Sequence, residues 1–202
     1  GTGFVVGSGN QVATNAHVLP ETTDSETRLS ILIPGHSPET SQLRPAAVAS
    51  KDIEHDLAVL SIAGKPLPAL RIVNSDSVRE GQAIAFTGFP IGGALGFSPV
   101  SHRGMVSSIT PIVLPSGNSR QLNPKLIQQM KRGAFRIFQL DATAYPGNSG
   151  SPVFDITSGE VIGVINMVLL KGLKESALTH PSGISYAIPA NFLGELIRQS
   201  AP

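Results

Sequence analysis

The sequence predicts an all-β protein, built as a barrel or a sandwich. Three observations carry this. The apolar runs are short, and turn residues separate them. Gly and Pro supply 21 and 16 of 202 residues, which favours short strands over long helices. The hydrophobic fraction, 41%, is enough for a packed core and too much for a disordered chain. The length suits one domain over residues 1–202, or two small halves sharing an interface.

In chain order, Phe4-Val5-Val6, the turn Gly7–Asn10 and Gln11–Thr14 read as a hairpin. Residues 20–27 are polar and read as loop. Leu29–Ile33 is a strand closed by Pro34-Gly35, and Ala47–Ala49 and Leu57–Ile62 are further strands. Pro66–Asn74 leads into the polar connector Ser75–Gly81, where the halves divide, at about 1–75 and 76–202. Ala83–Thr87 resumes strand character before a glycine-rich loop at 88–98, and Gly104–Ile109 is the next strand. Residues 115–121 read as loop. Asn123-Pro124 ahead of Lys125–Arg132, with Gly133 after it, gives start and stop signals for a short helix. Phe135–Leu140, Val153-Phe154 and Val161–Leu169 are strands. The polar connection Lys171–Ser182 follows, then the strand Ser185–Ile188 and a closing amphipathic helix at Ala190–Gln199.

Composition excludes several function classes. A net charge of +1 predicts binding neither to nucleic acid nor to an anionic membrane. No apolar run reaches about 18 residues, so no membrane span is expected. Without cysteine there is neither a disulfide framework nor a thiolate metal site. HExxH, Cys/His-cluster and GxxxxGK[ST] patterns are all missing, so no metal or cofactor is expected.

The stretch that carries chemistry is Pro146–Pro152, PGNSGSP, between two apolar runs. A serine between glycines in a tight turn holds its hydroxyl out on bare backbone, beside main-chain N–H groups that can bind an oxyanion. The same composition also makes ordinary turns. Upstream stand His17 in Thr14–Val18 and Asp56 in Asp56–Leu60. The order His17, Asp56, Ser149 is one of the known chain orders of a serine triad.

TNAHV, HDLAVL and GNSGSP together resemble the trypsin-like serine peptidases, most closely the protease domain of the HtrA/Deg group. The likeness runs from Gly1-Thr2-Gly3-Phe4-Val5-Val6 through Ile184–Pro189, and the PDZ domain those proteins usually carry is not expected within residues 1–202. The resemblance implies two antiparallel six-stranded β-barrels, a short C-terminal helix and an active site in the cleft between the barrels. His17 and Asp56 would come from the first barrel and Ser149 from the second. Ser149 would be the nucleophile. His17 would be its base, because an imidazole accepts and returns a proton near neutral pH. Asp56 would fix the imidazole tautomer. The backbone N–H groups of Gly147 and Ser149 would form the oxyanion hole, where a Cβ at 147 would obstruct.

Among the other histidines, His36, His55, His102 and His180, none sits in a comparable frame. His55 adjoins Asp56, and strand alternation would point it away. Asp52 and Glu54 fit solvated strand-end carboxylates. Relatives activated by cleavage carry Asp where Asn148 stands, so the resemblance implies no such activation step here. Loops 88–98, 115–133 and 170–182 are candidates for control.

The same resemblance places Thr143 at the floor of the specificity pocket and builds its walls from 163–168 and 183–187. Ile165, Asn166, Met167, Val168 and Ile184 are the residues expected to meet substrate. Val168 and Ile184 stand where trypsin has glycines, so the pocket is expected to be short and apolar, suited to small aliphatic residues of unfolded polypeptides. Glutamyl endopeptidases also resemble GNSGSPVF but use a histidine at the position of Ile165. The expected localisation is export, to a bacterial periplasm or the extracellular space, and a homo-oligomer is compatible with the group. The alternative is a binding or scaffold protein on the same fold with a silent site.

Overall fold

A computed structural model describes residues 1–20, 29–35, 40–90, 98–112, 135–167 and 183–200. The expected helix at 125–132 and the connection 171–182 lie outside these residues, as does Val168.

The first half is a sheet of β1 (Phe4–Val6), β2 (Gln11–Thr14), β3 (Ser30–Ile33), β4 (Gln42–Asp52) and β5 (Leu57–Ile62). Its order is β1-β2-β5-β4-β3, antiparallel throughout. The second half contains β6 (Ala83–Gly88), β7 (Val100–Ile112), β8 (Phe135–Asp141), β9 (Pro152–Asp155), β10 (Val161–Ile165) and β11 (Ile184–Pro189). These close into a six-stranded barrel in the order β10-β11-β8-β7-β6-β9. One helix, α1 (Ala190–Gln199), follows directly.

The all-β expectation therefore holds, and the second barrel has its six strands. The first half differs: among the described residues it is a curled five-stranded sheet and not a closed six-stranded barrel. The reason lies in the connector. Leu67 and Leu70 donate to the carbonyls of Gly9 and Val5, both at 2.9 Å, so this segment runs beside β1. Pro66 and Pro68 have no N–H, so the ladder cannot be continuous. Beyond them the segment passes to the other half. Val161 donates to Arg71 at 2.8 Å, and Val73 donates to Val161 at 3.1 Å.

β4 and β7 are longer than their apolar content predicts. β4 changes partner along its length, pairing Gln42–Pro45 with β3 and Ala46–Asp52 with β5. The extension is set by neighbouring ladders, which polar residues on an outward face tolerate. β10 is shorter than expected. It ends at Ile165; Asn166 N–H still donates to the Tyr186 carbonyl at 2.9 Å, while its side chain turns to another use described below.

Strand alternation explains how one run serves two cores. In β5, Leu57 and Val59 join Phe4, Val6, Ile137, Val161, Val164 and Ile188 at the interface between halves. Ala58, Leu60 and Ile62 face the first sheet's own core with Val12 and Leu19. Leu193 and Leu196 of α1, three residues apart and buried, seal the interface. The barrel interior holds Ile84, Phe86, Val106, Phe138, Leu140 and Val153.

His102 lies opposite Phe86 in the β6–β7 register and stacks on it, with ring centroids 4.7 Å apart. Its buried Nε2 has no partner among the described residues. Burial lowers its pKa below the ordinary imidazole value, because desolvation disfavours the charged form. Below about pH 6.5 the unfolded chain binds this proton more readily than the fold does, so the contribution is present above that pH and lost as pH falls. The melting temperature is expected to drop between pH 7.5 and 5.5, and less so in His102→Phe, which keeps the stack. Equal drops in both proteins would show that His102 does not carry the dependence.

Candidate active site

The sequence Tyr145–Ser151 folds as two overlapping turns of the same kind. Asn148 N–H donates to the Tyr145 carbonyl at 2.9 Å, and Gly147 between them has φ +103°. Proline second and glycine third with positive φ are the marks of a type II turn. Ser151 N–H then donates to the Asn148 carbonyl at 2.9 Å, with Gly150 third at φ +87°. A Cβ on Gly150 would collide with the Thr2 carbonyl oxygen and approach Thr14 Oγ1, so position 150 accepts glycine alone.

Ser149 sits second in the second turn, 7% exposed. Among the described residues, its hydroxyl has no hydrogen-bond partner, and neither do the Gly147 and Ser149 N–H groups. No hydrogen bond joins Ser149 to His17 in this structure. Asn148 is fully buried, and both amide atoms lack a partner among the described residues.

Asp56 is the hub of the site. It is the last residue of the turn between β4 and β5 and has φ +53°, the one described non-glycine residue with positive φ. Backbone in a sparsely populated region persists only where surroundings over-determine it. Here the Asp56 carbonyl accepts from Ala16 N–H at 3.1 Å and Asn15 Nδ2 at 3.0 Å. Its Oδ1 accepts from the His17 backbone N–H at 2.8 Å, and its Oδ2 lies 2.5 Å from His17 Nδ1. Oδ2 also accepts from Asn166 Nδ2 at 2.7 Å.

His17 stands in a single 3₁₀ turn, Ala16–Val18, directly after β2. The carboxylate thus grips both the backbone and the ring of His17. Ser149 joins the constellation through its neighbour: Gly150 N–H donates to the Ile165 carbonyl at 3.0 Å, and Asn166 follows Ile165 onto Asp56.

His55 does point away from this cluster, but the turn causes it and not strand alternation. Its N–H donates to Asp52 Oδ1 at 3.0 Å, its Nδ1 lies 2.6 Å from Asp52 Oδ2, and its ring stacks 3.8 Å from Phe192 of α1. Asp52 is therefore not a free strand-end carboxylate: it holds His55 as Asp56 holds His17.

The expected pocket residues divide. Ser185 Oγ donates to the Ala142 carbonyl at 2.7 Å and accepts from Ala144 N–H at 2.9 Å, bracketing Thr143 and tying it to β11. Ile184 is 39% exposed at the start of that strand. Met167 is half-buried against the barrel core. Ile165 is fully buried inside the barrel, its alternation turning it inward. Asn166, expected on the pocket wall, spends its amide on Asp56. That link went unread in the sequence because nothing in VIGVINMV sets the asparagine apart from its strand neighbours.

The family described as Trypsin-like peptidase domain matches residues 1–164. A probable periplasmic serine endoprotease, DegP-like, of Pseudomonas fluorescens is 28% identical over 98% of this chain and 34% of its own length. The same-named protein of Chlamydia pneumoniae is 30% identical, with the same coverage. The mitochondrial serine protease HTRA2 of Bos taurus is 30% identical over 98% of this chain and 36% of its own length. Among solved structures, the HtrA-type protease AlgW with a decapeptide matches with TM-score 0.68 and 25% identity, over 98% of this chain and 50% of that one. The chain spans about a third of the length of the named relatives.

Proposed function

Because the chain belongs to the trypsin-like peptidase family, we propose that it is a serine endopeptidase working through an acyl-enzyme. The observation that carries this reading is the convergence on Asp56, which binds His17 on one side and, through Asn166 and Ile165, the turn of Ser149 on the other.

In the first step Ser149 Oγ bonds to the scissile carbonyl carbon, and its proton passes to His17 Nε2. Asp56 accepts from Nδ1–H, which leaves Nε2 free to take that proton and stabilises the imidazolium. His17 then gives the proton to the leaving amine as the C–N bond breaks. Water then gives a proton to His17 as its oxygen bonds to the ester carbon, and the C–Oγ bond breaks as His17 returns that proton to Ser149 Oγ. The Gly147 and Ser149 N–H groups receive the oxyanion in both tetrahedral intermediates. A missing Ser149–His17 hydrogen bond fits this scheme, since catalytic hydrogen bonds in ligand-free sites are often long and tighten on substrate. The halves at about 1–75 and 76–202 each supply part of the site. Polypeptides are the substrate class. Export to a periplasm, as the relatives' names state for them, and a homo-oligomeric state belong to the same proposal.

Cleavage is expected after Val, Ala or Ile. Thr143 offers no charge, and burying an unpaired Lys or Arg beside it would be costly. Val168 and Ile184 stand where trypsin has glycines, so their branched side chains are expected to exclude an aromatic ring. A missing methylene changes affinity by only about 1–3 kcal/mol, so the three residues should be weakly distinguished. A cleavage-site profile on a denatured proteome, with Ser149→Ala as control, tests both levels. Cuts mainly after Arg, Lys or Phe would overturn the pocket assignment alone. No cuts beyond the control would overturn the endopeptidase reading and favour a silent binding protein.

A further inference from the structure

We propose that Thr2 is a positioning residue for the oxyanion hole, a role that rests on the endopeptidase reading above. Thr2 is 3% exposed, and every polar group it has is spent within the site. Its backbone N–H donates to the Ser149 carbonyl at 2.8 Å. Its hydroxyl donates to the Gly147 carbonyl at 2.7 Å and accepts from Phe89 N–H at 3.0 Å. Its own carbonyl accepts from Thr14 Oγ1 at 2.7 Å.

Thr2 therefore grips the peptides on both sides of the Asn148–Ser149 unit, whose N–H is one of the two oxyanion donors. The Gly147 carbonyl it holds also fixes the exit of the first turn, on which the direction of the Gly147 N–H depends. Nothing on the Asn148 side chain does this work, because its amide has no partner among the described residues. The strap is anchored outside the barrel, on Thr14 of β2, three residues before His17. One residue thus holds the turn of the nucleophile to the strand that delivers the base. The packing leaves little slack: a Cβ on Gly88 would lie 3.1 Å from Thr2 Oγ1 and collide with Ser151 Oγ.

Thr2→Val keeps the shape and removes the hydroxyl, leaving the Gly147 carbonyl and the Phe89 N–H without it. Losing one oxyanion donor costs about 10²–10³ in kcat, and a misplacement of about 1 Å costs about 10². The expectation for Thr2→Val is therefore a fall in kcat of about 10²-fold, with KM changed less than about threefold, measured per active site. Thr2→Ser, which restores the hydroxyl, should return kcat to within about threefold of the wild type. Affinity for a peptide trifluoromethyl ketone, whose adduct carries the oxyanion, should fall with kcat. Affinity of a Ser149→Ala background for an uncleaved peptide should not change with Thr2→Val.

A purely structural residue would lower the melting temperature and leave kcat per active site unchanged. That result, or a Thr2→Ser enzyme as slow as Thr2→Val, would overturn the proposal. If Thr2→Val does not fold, Thr14→Val, which removes the support of the Thr2 carbonyl, should lower kcat about tenfold at constant KM, and an unchanged kcat would overturn it. A wild type without turnover would overturn the endopeptidase reading itself, and the role of Thr2 with it.

Discussion

Ser149→Ala and His17→Ala should each lower kcat by about 10⁶-fold, and the double variant should be no slower than either, since triad members act as a unit. The chain should remain folded in both. The Ser149 hydroxyl has no hydrogen-bond partner among the described residues, while its carbonyl keeps the bond from Thr2 N–H whatever the side chain. His17 is 28% exposed in its side chain, so its removal opens no core cavity. Turnover of a chromogenic peptide, measured beside the melting temperature, checks both. Substantial kcat in either variant would remove that residue from the mechanism. Equal losses of activity and of fold would show that the residue was structural.

Asp56→Asn should cost about 10⁴-fold in kcat, less than loss of the nucleophile and for a different reason. Asparagine tolerates the left-handed backbone at φ +53°, and the bonds from Ala16 N–H and Asn15 Nδ2 reach the main-chain carbonyl, so the turn survives. The side chain cannot be replaced so simply. Three donors surround the carboxylate: His17 N–H, His17 Nδ1–H and Asn166 Nδ2. An amide has one acceptor oxygen, so its NH₂ must face one of them. Facing His17 Nδ1, it makes that nitrogen an acceptor and puts the proton on Nε2, where it cannot receive the proton of Ser149. The expected signature is a low kcat, a nearly unchanged KM and a partial gain at alkaline pH. Wild-type kcat in Asp56→Asn would show that Asp56 does not set the tautomer.

Much of this fold can be read from local pattern. The hairpin of β1 and β2, the strand β5 and the helix α1 follow from apolar periodicity and turn residues, and each lies where those signals put it. The lengths of β4 and β7 could not be read, because ladder partners distant in sequence extend strands through polar residues such as Arg44 and Arg103. The open first sheet was equally hidden. Whether a sixth segment pairs depends on N–H groups that Pro66 and Pro68 remove, in a stretch read only as a connector.

The candidate site shows the same division. PGNSGSP encodes its own geometry, since glycine stands third in two successive turns that need positive φ. Asp56 could be named from its motif but not its left-handed backbone, which long-range bonds from Asn15 and Ala16 hold in place. The bond of Asn166 to Asp56, where a place on the pocket wall is expected, and the part of Thr2 were illegible for one reason. Each reaches its partner across more than a hundred residues, Asn166 to Asp56 and Thr2 to Gly147, and no local spacing records such contacts.

The most direct measurement of an assembled triad is intact mass after reaction with a fluorophosphonate, followed by peptide mapping. The wild type should gain one adduct, on Ser149, at a rate that falls steeply in His17→Ala and Asp56→Asn. An adduct elsewhere, no adduct in an enzyme that cleaves peptides, or equal labelling of Ser149 with and without His17 would contradict a triad of His17, Asp56 and Ser149.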